Sequence, residues 1–417
     1  MSLRIGRTLP PAAAPIGLKN ILNGLLAMYS GDRAVKAFTS QLKSYFNVKH
    51  CYLLSSGKAS LTLILQALKT LHPDRDEVLI PAFTCYSVPA AIVRAGLKIR
   101  ICDIEAETLD FDYGELAVHL SSPRLLCVIP THLFGITADI PRVREMVGPR
   151  TITIVEDAAQ TMGAESEGRK AGTLGDVGLF SLGRGKAFST VSGGIILTDS
   201  DEIGNNLNRH YDTVPACSIF AQFKLLIYAA ALALLSRPGL FWIPKSLPFL
   251  GLGETHFETD FPIKRLSASQ AGLAKGWQDA LLELDRIRQA NAAYLINSGI
   301  KAACGADLSV SGVIRFPYMA ATAAEKQVLL LASGRSGLGG ADVYPGTVDS
   351  IAGLQHCIVG GNSENAAAIV ERIITFPVHP YVTRADLEKI AALLRNPEGN
   401  QYGVEMPGVQ QTGARRQ

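Results

Sequence analysis

Between residues 50 and 200, short apolar runs alternate with stretches of helical spacing. The runs at 51–54, 77–80, 98–102, 125–130, 151–155, 177–181 and 194–198 show little polar alternation. That is the pattern of strands buried on both faces. The stretches 59–71, 87–95 and 140–147 predict helices between them. Strand–helix repetition of this kind predicts an α/β class: three αβα layers on a mainly parallel seven-stranded sheet. Residues 1–48 read as an arm and one amphipathic helix, roughly Ala34 to Phe46. A large domain over 49–260 follows. From about 267 a long helix is predicted, capped by Ser267, with Leu273, Trp277, Leu281, Leu284 and Ile287 at helical spacing. A strand at 313–316, a helix at 323–331, a glycine-rich loop at 337–340 and a last helix at 384–394 complete a smaller C-terminal α+β domain over 261–396. Thr383 and Asp386 form a variant capping box for that last helix. Residues 397–417 read as a mobile Gly/Gln-rich tail.

One segment breaks the pattern. Residues 217–252 include an uncharged run at 225–235, then Phe241-Trp242-Ile243-Pro244 and Leu247-Pro248-Phe249-Leu250. The run is shorter than the ~20 residues that span a bilayer. It suits a helical hairpin in a core or dimer interface. It equally suits an apolar surface lying on a membrane or holding a lipid-linked substrate.

Composition narrows the class. Of 417 residues, 47% are hydrophobic and 18% charged, which excludes a disordered chain. Forty Lys+Arg against 37 Asp+Glu give +3, no electrostatic footprint for nucleic acid. The seven cysteines are odd in number and lack metal-ligand or CxxC spacing. They read as thiols of a reducing compartment. The N-terminus has no secretory apolar core, so a cytoplasmic location is expected.

In parallel sheets, ligands sit at the strands' C-terminal ends, and three polar elements fall there. The first is Glu156-Asp157-Ala158-Ala159-Gln160, where an acid pair suits a site or a helix cap alike. The second is a glycine-broken loop, Ser181-Leu182-Gly183-Arg184-Gly185-Lys186. The third is Ser55-Ser56-Gly57-Lys58-Ala59-Ser60, a strand-to-helix turn able to hold an anion. A lysine amine forms a Schiff base with an aldehyde cofactor. Pyridoxal phosphate needs such a lysine, a carboxylate for its ring nitrogen and a cradle for its phosphate. Lys186, Asp157 and residues 56–60 supply them. His132 and His379 are further candidates, though a part-buried histidine more often bonds locally.

Taken in order, these motifs resemble the DegT/DnrJ/EryC1/StrS family of sugar aminotransferases, pyridoxal phosphate enzymes of the aspartate-aminotransferase fold (fold type I). The resemblance rests on Ser56-Gly57-Lys58-Ala59-Ser60-Leu61, Asp76-Glu77-Val78-Leu79-Ile80-Pro81-Ala82-Phe83-Thr84, and His132-Leu133-Phe134-Gly135. It continues through Glu156-Asp157-Ala158-Ala159-Gln160, the five-residue step from Ser181 to Lys186, Arg265-Leu266 with Gln270-Ala271, and Thr375-Phe376-Pro377-Val378-His379. It implies that Lys186 carries the cofactor and moves protons, and that Asp157 pairs with the ring nitrogen. It places Gln160 and Cys85 against the ring, and Ser56, Gly57, Lys58 and Ser181 around the phosphate. Arg184, His132 and His379 become substrate candidates. A lysine at 186, where relatives that dehydrate sugars carry histidine, implies amino transfer. The implied reaction moves an amino group, with L-glutamate the expected donor, to a keto sugar on a nucleotide, within a homodimer. Four places depart from the family pattern: Lys58 replaces threonine, Cys85 an aromatic residue, Gly183-Arg184-Gly185 the common aromatic-Pro-Thr, and Ile263 an asparagine given by a neighbouring subunit. Other readings are a lipid-linked acceptor held by 217–252, with peripheral membrane contact, and a non-catalytic regulator keeping the fold.

Overall fold

The computed structural model describes residues 5–247, 255–305, 308 and 312–397. The expected tail beyond 397, and the part of the apolar segment from 248 to 252, lie outside the described residues. The strands are β1 (His50–Leu54), β2 (Glu77–Pro81), β3 (Lys98–Cys102), β4 (Leu125–Val128), β5 (Thr153–Asp157), β6 (Glu165–Ser166), β7 (Arg169–Lys170), β8 (Val177–Ser181), β9 (Gly194–Thr198), β10 (Arg315–Met319), β11 (Ile358–Gly360) and β12 (Ile373–Pro377). The first seven helices are α1 (Leu18–Ser30), α2 (Asp32–Phe46), α3 (Gly57–Leu71), α4 (Ser87–Arg94), α5 (Tyr113–His119), α6 (Ile140–Val147) and α7 (Asp201–Thr213). Then follow α8 (Ile219–Leu235), α9 (Trp242–Lys245), α10 (Ala268–Leu273), α11 (Trp277–Asn297), α12 (Ala323–Ser336), α13 (Glu364–Arg372) and α14 (Arg384–Arg395).

The main sheet runs β1-β9-β8-β5-β4-β2-β3-β11. It has eight strands, not the expected seven. The eighth, β11, comes from the C-terminal half and pairs parallel with β3. Only β9 runs against its neighbours. Strand alternation splits the side chains between two cores. In β2, Val78 and Ile80 join α3 and α4 on one face, while Leu79 joins α5 and α6 on the other. In β9, Ile196 faces α3, and Ile195 and Leu197 face α2 and Trp277. Both faces are covered, which is why these strands read as unbroken apolar runs.

The small domain packs α11, α12 and α14 on the antiparallel pair β10–β12, with Phe316, Leu329, Phe376 and Ile390 fully buried. Thr383 and Asp386 form the expected capping box of α14. The long helix expected from 267 is two helices. Ser267 and Gln270 cap α10, and Gly276, at φ +77°, breaks the path before α11. The single N-terminal helix is also two. Helix α1 was not anticipated, and it packs between α10 and α8. Gly24 meets α8: a Cβ there would stand 2.7 Å from Leu226 Cδ2. Among the described residues, no helix is long and apolar enough to cross a membrane.

Candidate functional site

Strands β1, β2, β5 and β8 all point the same way. Their C-terminal ends therefore bring Ser55–Lys58, Cys85, Asp157–Gln160 and Ser181–Lys186 to one edge of the sheet. A separate surface groove, lined by His72, Arg144, Thr153, Asp176 and Thr198, opens at the opposite edge. There the strands begin, and none of the candidate residues is present.

The phosphate-type turn is built by local chemistry. Ser56 is extended at the N-cap of α3, and its Oγ accepts from the Ala59 N–H at 3.1 Å. Its carbonyl accepts from Ser60 N–H. The amides of Gly57 and Lys58 are the helix's first free donors, an anion site of fixed geometry. A Cβ at Gly57 would lie 3.0 Å from Ser181 Cβ and 3.3 Å from its Oγ. Glycine thus lets the helix start meet the end of β8. Ser181 Oγ accepts from Gly183 N–H at 3.3 Å. The Lys58 ammonium does not turn into this cradle. It pairs with Glu258 at 3.1 Å and lies 4.4 Å above the Phe261 ring.

Next to the turn, Lys186 and Asp157 are buried and interact electrostatically. Burial pushes the Lys186 amine below its ordinary range, against the pull of Asp157, and Arg315 adds to the depression. Burial likewise raises Asp157, with Lys186 opposing. Asp157 Oδ1 accepts from Ala159 N–H at 3.1 Å. Its second oxygen has no hydrogen bond among the described residues and is available to a ring nitrogen. Strand alternation sends Glu156 the other way. Its carboxylate accepts from the N–H groups of Gly172, Leu174 (2.8 Å) and Gly175 (2.7 Å), and from His132 Nε2 at 3.1 Å. Burial opposes this charge, but His132 and the backbone donors outweigh it and hold the carboxyl below its usual range. Of the acid pair, Glu156 secures a loop and Asp157 faces the site.

Gln160 is fixed at both ends. Its Nε2 donates to Tyr344 Oη at 3.1 Å, and its Oε1 accepts from Phe134 N–H at 3.2 Å. Cys85 is half-buried, and its Sγ accepts from Ser87 Oγ. Beside it the buried Thr84 hydroxyl has no partner.

Three substrate candidates have other occupations. His132 is buried, and its Nδ1 accepts from Ala138 N–H at 2.8 Å while Nε2 serves Glu156. His379 is also buried. Its Nε2 donates to Pro10 O at 2.8 Å, and its Nδ1 accepts from Tyr381 N–H. Neither ring has a nitrogen left for a substrate. Arg184 is exposed, its guanidinium 5.6 Å from the Tyr228 ring of α8.

Sequence reading missed Tyr344 and Arg315. Tyr344 is buried, edge-on to Phe83 at 5.2 Å, and burial holds its phenol well above the ordinary range. Arg315 begins β10 and interacts electrostatically with Lys186, Tyr344 and Cys85. Both come from the chain's last quarter, more than 125 residues after Lys186. No local motif marks them.

Residues 19–211 match the sequence profile of the DegT/DnrJ/EryC1/StrS aminotransferase family. An L-glutamine:2-deoxy-scyllo-inosose aminotransferase from Streptomyces kanamyceticus is 34% identical over 169 residues, 40% of this chain and 38% of that protein. A GDP-perosamine synthase from Caulobacter vibrioides is 30% identical over 174 residues, 42% and 46% of the two chains. The chain thus spans less than half the length of these relatives. Across nearly the whole chain, the fold is similar to that of an E. coli GDP-4-keto-6-deoxy-D-mannose-3-dehydratase with bound hydrated PLP. The TM-score is 0.74 at 17% identity, covering 94% of this chain and 100% of the other.

Proposed function

We propose, because residues 19–211 match the DegT/DnrJ/EryC1/StrS aminotransferase family profile, that this chain is a pyridoxal phosphate-dependent transaminase carrying an amino group from an amino acid to a keto sugar. The sugars named for its relatives, GDP- and dTDP-linked, give the acceptor class. The observation that carries the reading is a buried lysine amine beside a buried carboxylate, next to a helix start with free amides.

The residues present fit the cofactor. The Gly57–Ser181 contact leaves a cradle that any side chain at 57 would obstruct, and Asp157 keeps an oxygen unshared. The Gly57 and Lys58 amides with Ser181 Oγ would hold the phosphate, and Asp157 the ring nitrogen. Gln160, Cys85 and Tyr344 would bound the ring. Bound there, the cofactor supplies an electron sink for the substrate carbon that loses its proton. Lys186 takes up that proton and returns it. Burial lowers the basicity of its amine, which favours the unprotonated form that a general base requires. Arg315 supplies positive charge on the same side. The assembly we propose is a homodimer. Ile263 packs against its own chain's core, so no contact to a neighbour's phosphate is assigned to it.

The test is spectroscopic. Pyridoxal phosphate added to the purified chain is expected to produce a visible band that L-glutamate removes. Lys186→Ala should keep the fold, lose the band, and lower turnover by at least about a thousandfold. Unchanged turnover in that variant would overturn the reading.

A further inference from the structure

The exposed face shared by α1 and α8 belongs to no part of the site. Among the described residues, most of the exposed large apolar side chains lie on these two helices. On α8 the outward stripe is Phe220, Phe223, Ile227 and Leu234, at i, i+3, i+7 and i+14, with Phe220 83% and Ile227 71% exposed. On α1, Leu18, Leu22, Leu25, Leu26 and Tyr29 are also exposed, at i, i+4, i+7, i+8 and i+11. The helices cross at Gly24 and Leu226, which sets the two stripes side by side. A soluble surface rarely carries a continuous apolar patch of this kind without a partner.

Charge points to the partner. No Asp or Glu occurs in residues 1–31 or 213–253. Lys19, Lys224 and Arg237 are exposed there. The rest of the chain holds all 37 acids, so the one-signed charge is a property of this region. An isologous contact with a second copy would offer no Asp or Glu from either α1 or α8 to offset these cations. An anionic surface neutralises them.

We propose that the α1–α8 face binds the surface of a bilayer bearing anionic headgroups, with the apolar stripes in the headgroup–acyl boundary and the cations at the phosphates. At ~1.5 Å per residue, the 17 residues of α8 measure roughly 25 Å, less than the ~30 Å of a hydrocarbon core, so the helix lies along the surface. Arg184 rests on Tyr228 of this helix. The loop that carries Lys186 therefore stands directly beside the bound face. This inference does not depend on the cofactor reading, and its test reads lipid binding alone.

The full chain is floated with phosphatidylcholine vesicles, with and without about one third phosphatidylglycerol, and its oligomeric state is measured in parallel. Co-flotation is expected with the anionic vesicles, weakening as salt rises. Ile227→Glu and Leu22→Glu should each lower it by about tenfold, and Lys19→Glu with Lys224→Glu by a similar factor. Val118→Glu, an exposed apolar position on α5, should leave it unchanged. Two results overturn the proposal. One is equal flotation of wild type and the α1 and α8 variants. The other is no flotation of wild type, with Ile227→Glu instead breaking an oligomer, which assigns the face to a second copy.

Discussion

Arg288 gathers three backbone carbonyls on one buried guanidinium: Ala187 O at 2.8 Å, Ala13 O at 3.0 Å and Lys186 O at 3.1 Å. Burial pushes it down to about 10. Replacing it with leucine leaves those acceptors without a donor. Arg288→Leu is expected to destabilise the chain by about 2–4 kcal/mol and to weaken the cofactor band, since Lys186 loses its backbone anchor. Urea denaturation and titration with pyridoxal phosphate check both. His379 sets a pH dependence. Burial lowers it from 6.5 to about 4, so between those values the unfolded chain binds more protons than the folded one. Stability is complete above pH 6.5 and falls as pH drops toward 4, by about 3 kcal/mol. His379→Gln should show a shallower fall across that window. Parallel profiles for the two proteins would refute the assignment. Single residues were legible in proportion to how local their setting is. Asp157, Ser181, Lys186 and the 56–60 turn follow strands whose ends are marked in the sequence. Arg315 and Tyr344 reach the same place through the tertiary fold. His132 and His379 bond locally, the commoner of their two readings; a buried imidazole and a site imidazole look alike in one dimension.

At the scale of elements, the crossing of α1 and α10 depends on small residues. A Cβ at Gly272 would stand 2.4 Å from Asn23 O and 2.5 Å from Ala27 Cβ. Gly272→Ala must therefore push two helix backbones apart, at about 1–3 kcal/mol. Gly334, in α12, has open space at its Cβ, and Gly334→Ala should instead stabilise by about 1 kcal/mol. Chemical denaturation of the pair separates close packing from helix propensity. If both substitutions shift stability the same way, the close approach at Gly272 is not the determinant. The same crossing explains why α1 was hidden in the sequence. Its apolar residues face both inward, at Ile21 and Met28, and outward, at Leu22 and Leu26. The apolar set is therefore wider than the single stripe of an ordinary surface helix. Strand β11 was missed for another reason: three residues, the last a glycine and followed by another, are too short for a period to show.

At the scale of the molecule, the candidate site draws on distant parts of the chain, with Asp157 and Lys186 from its first half and Arg315 from its last quarter. A ligand that binds only the folded site stabilises by about 2.7 kcal/mol at a hundredfold excess over its Kd. Calorimetry with pyridoxal phosphate should therefore raise the unfolding temperature, and Lys186→Ala and Arg315→Ala should each reduce the shift. An undiminished shift in Arg315→Ala would remove that residue from the bound state. The pairing of β1 with β9, and the anchoring of Lys186 by Arg288, also set an order in time. When the ribosome has made Lys186, the strand that follows its loop and the arginine that holds it do not yet exist. Residue 288 lies about two thirds of the way along the 417-residue chain. Until it emerges, the nascent protein exposes a strand edge and a loose lysine loop. A growing chain is thus unable to capture its cofactor early. Chaperone demand should peak while residues 198–288 are being synthesised.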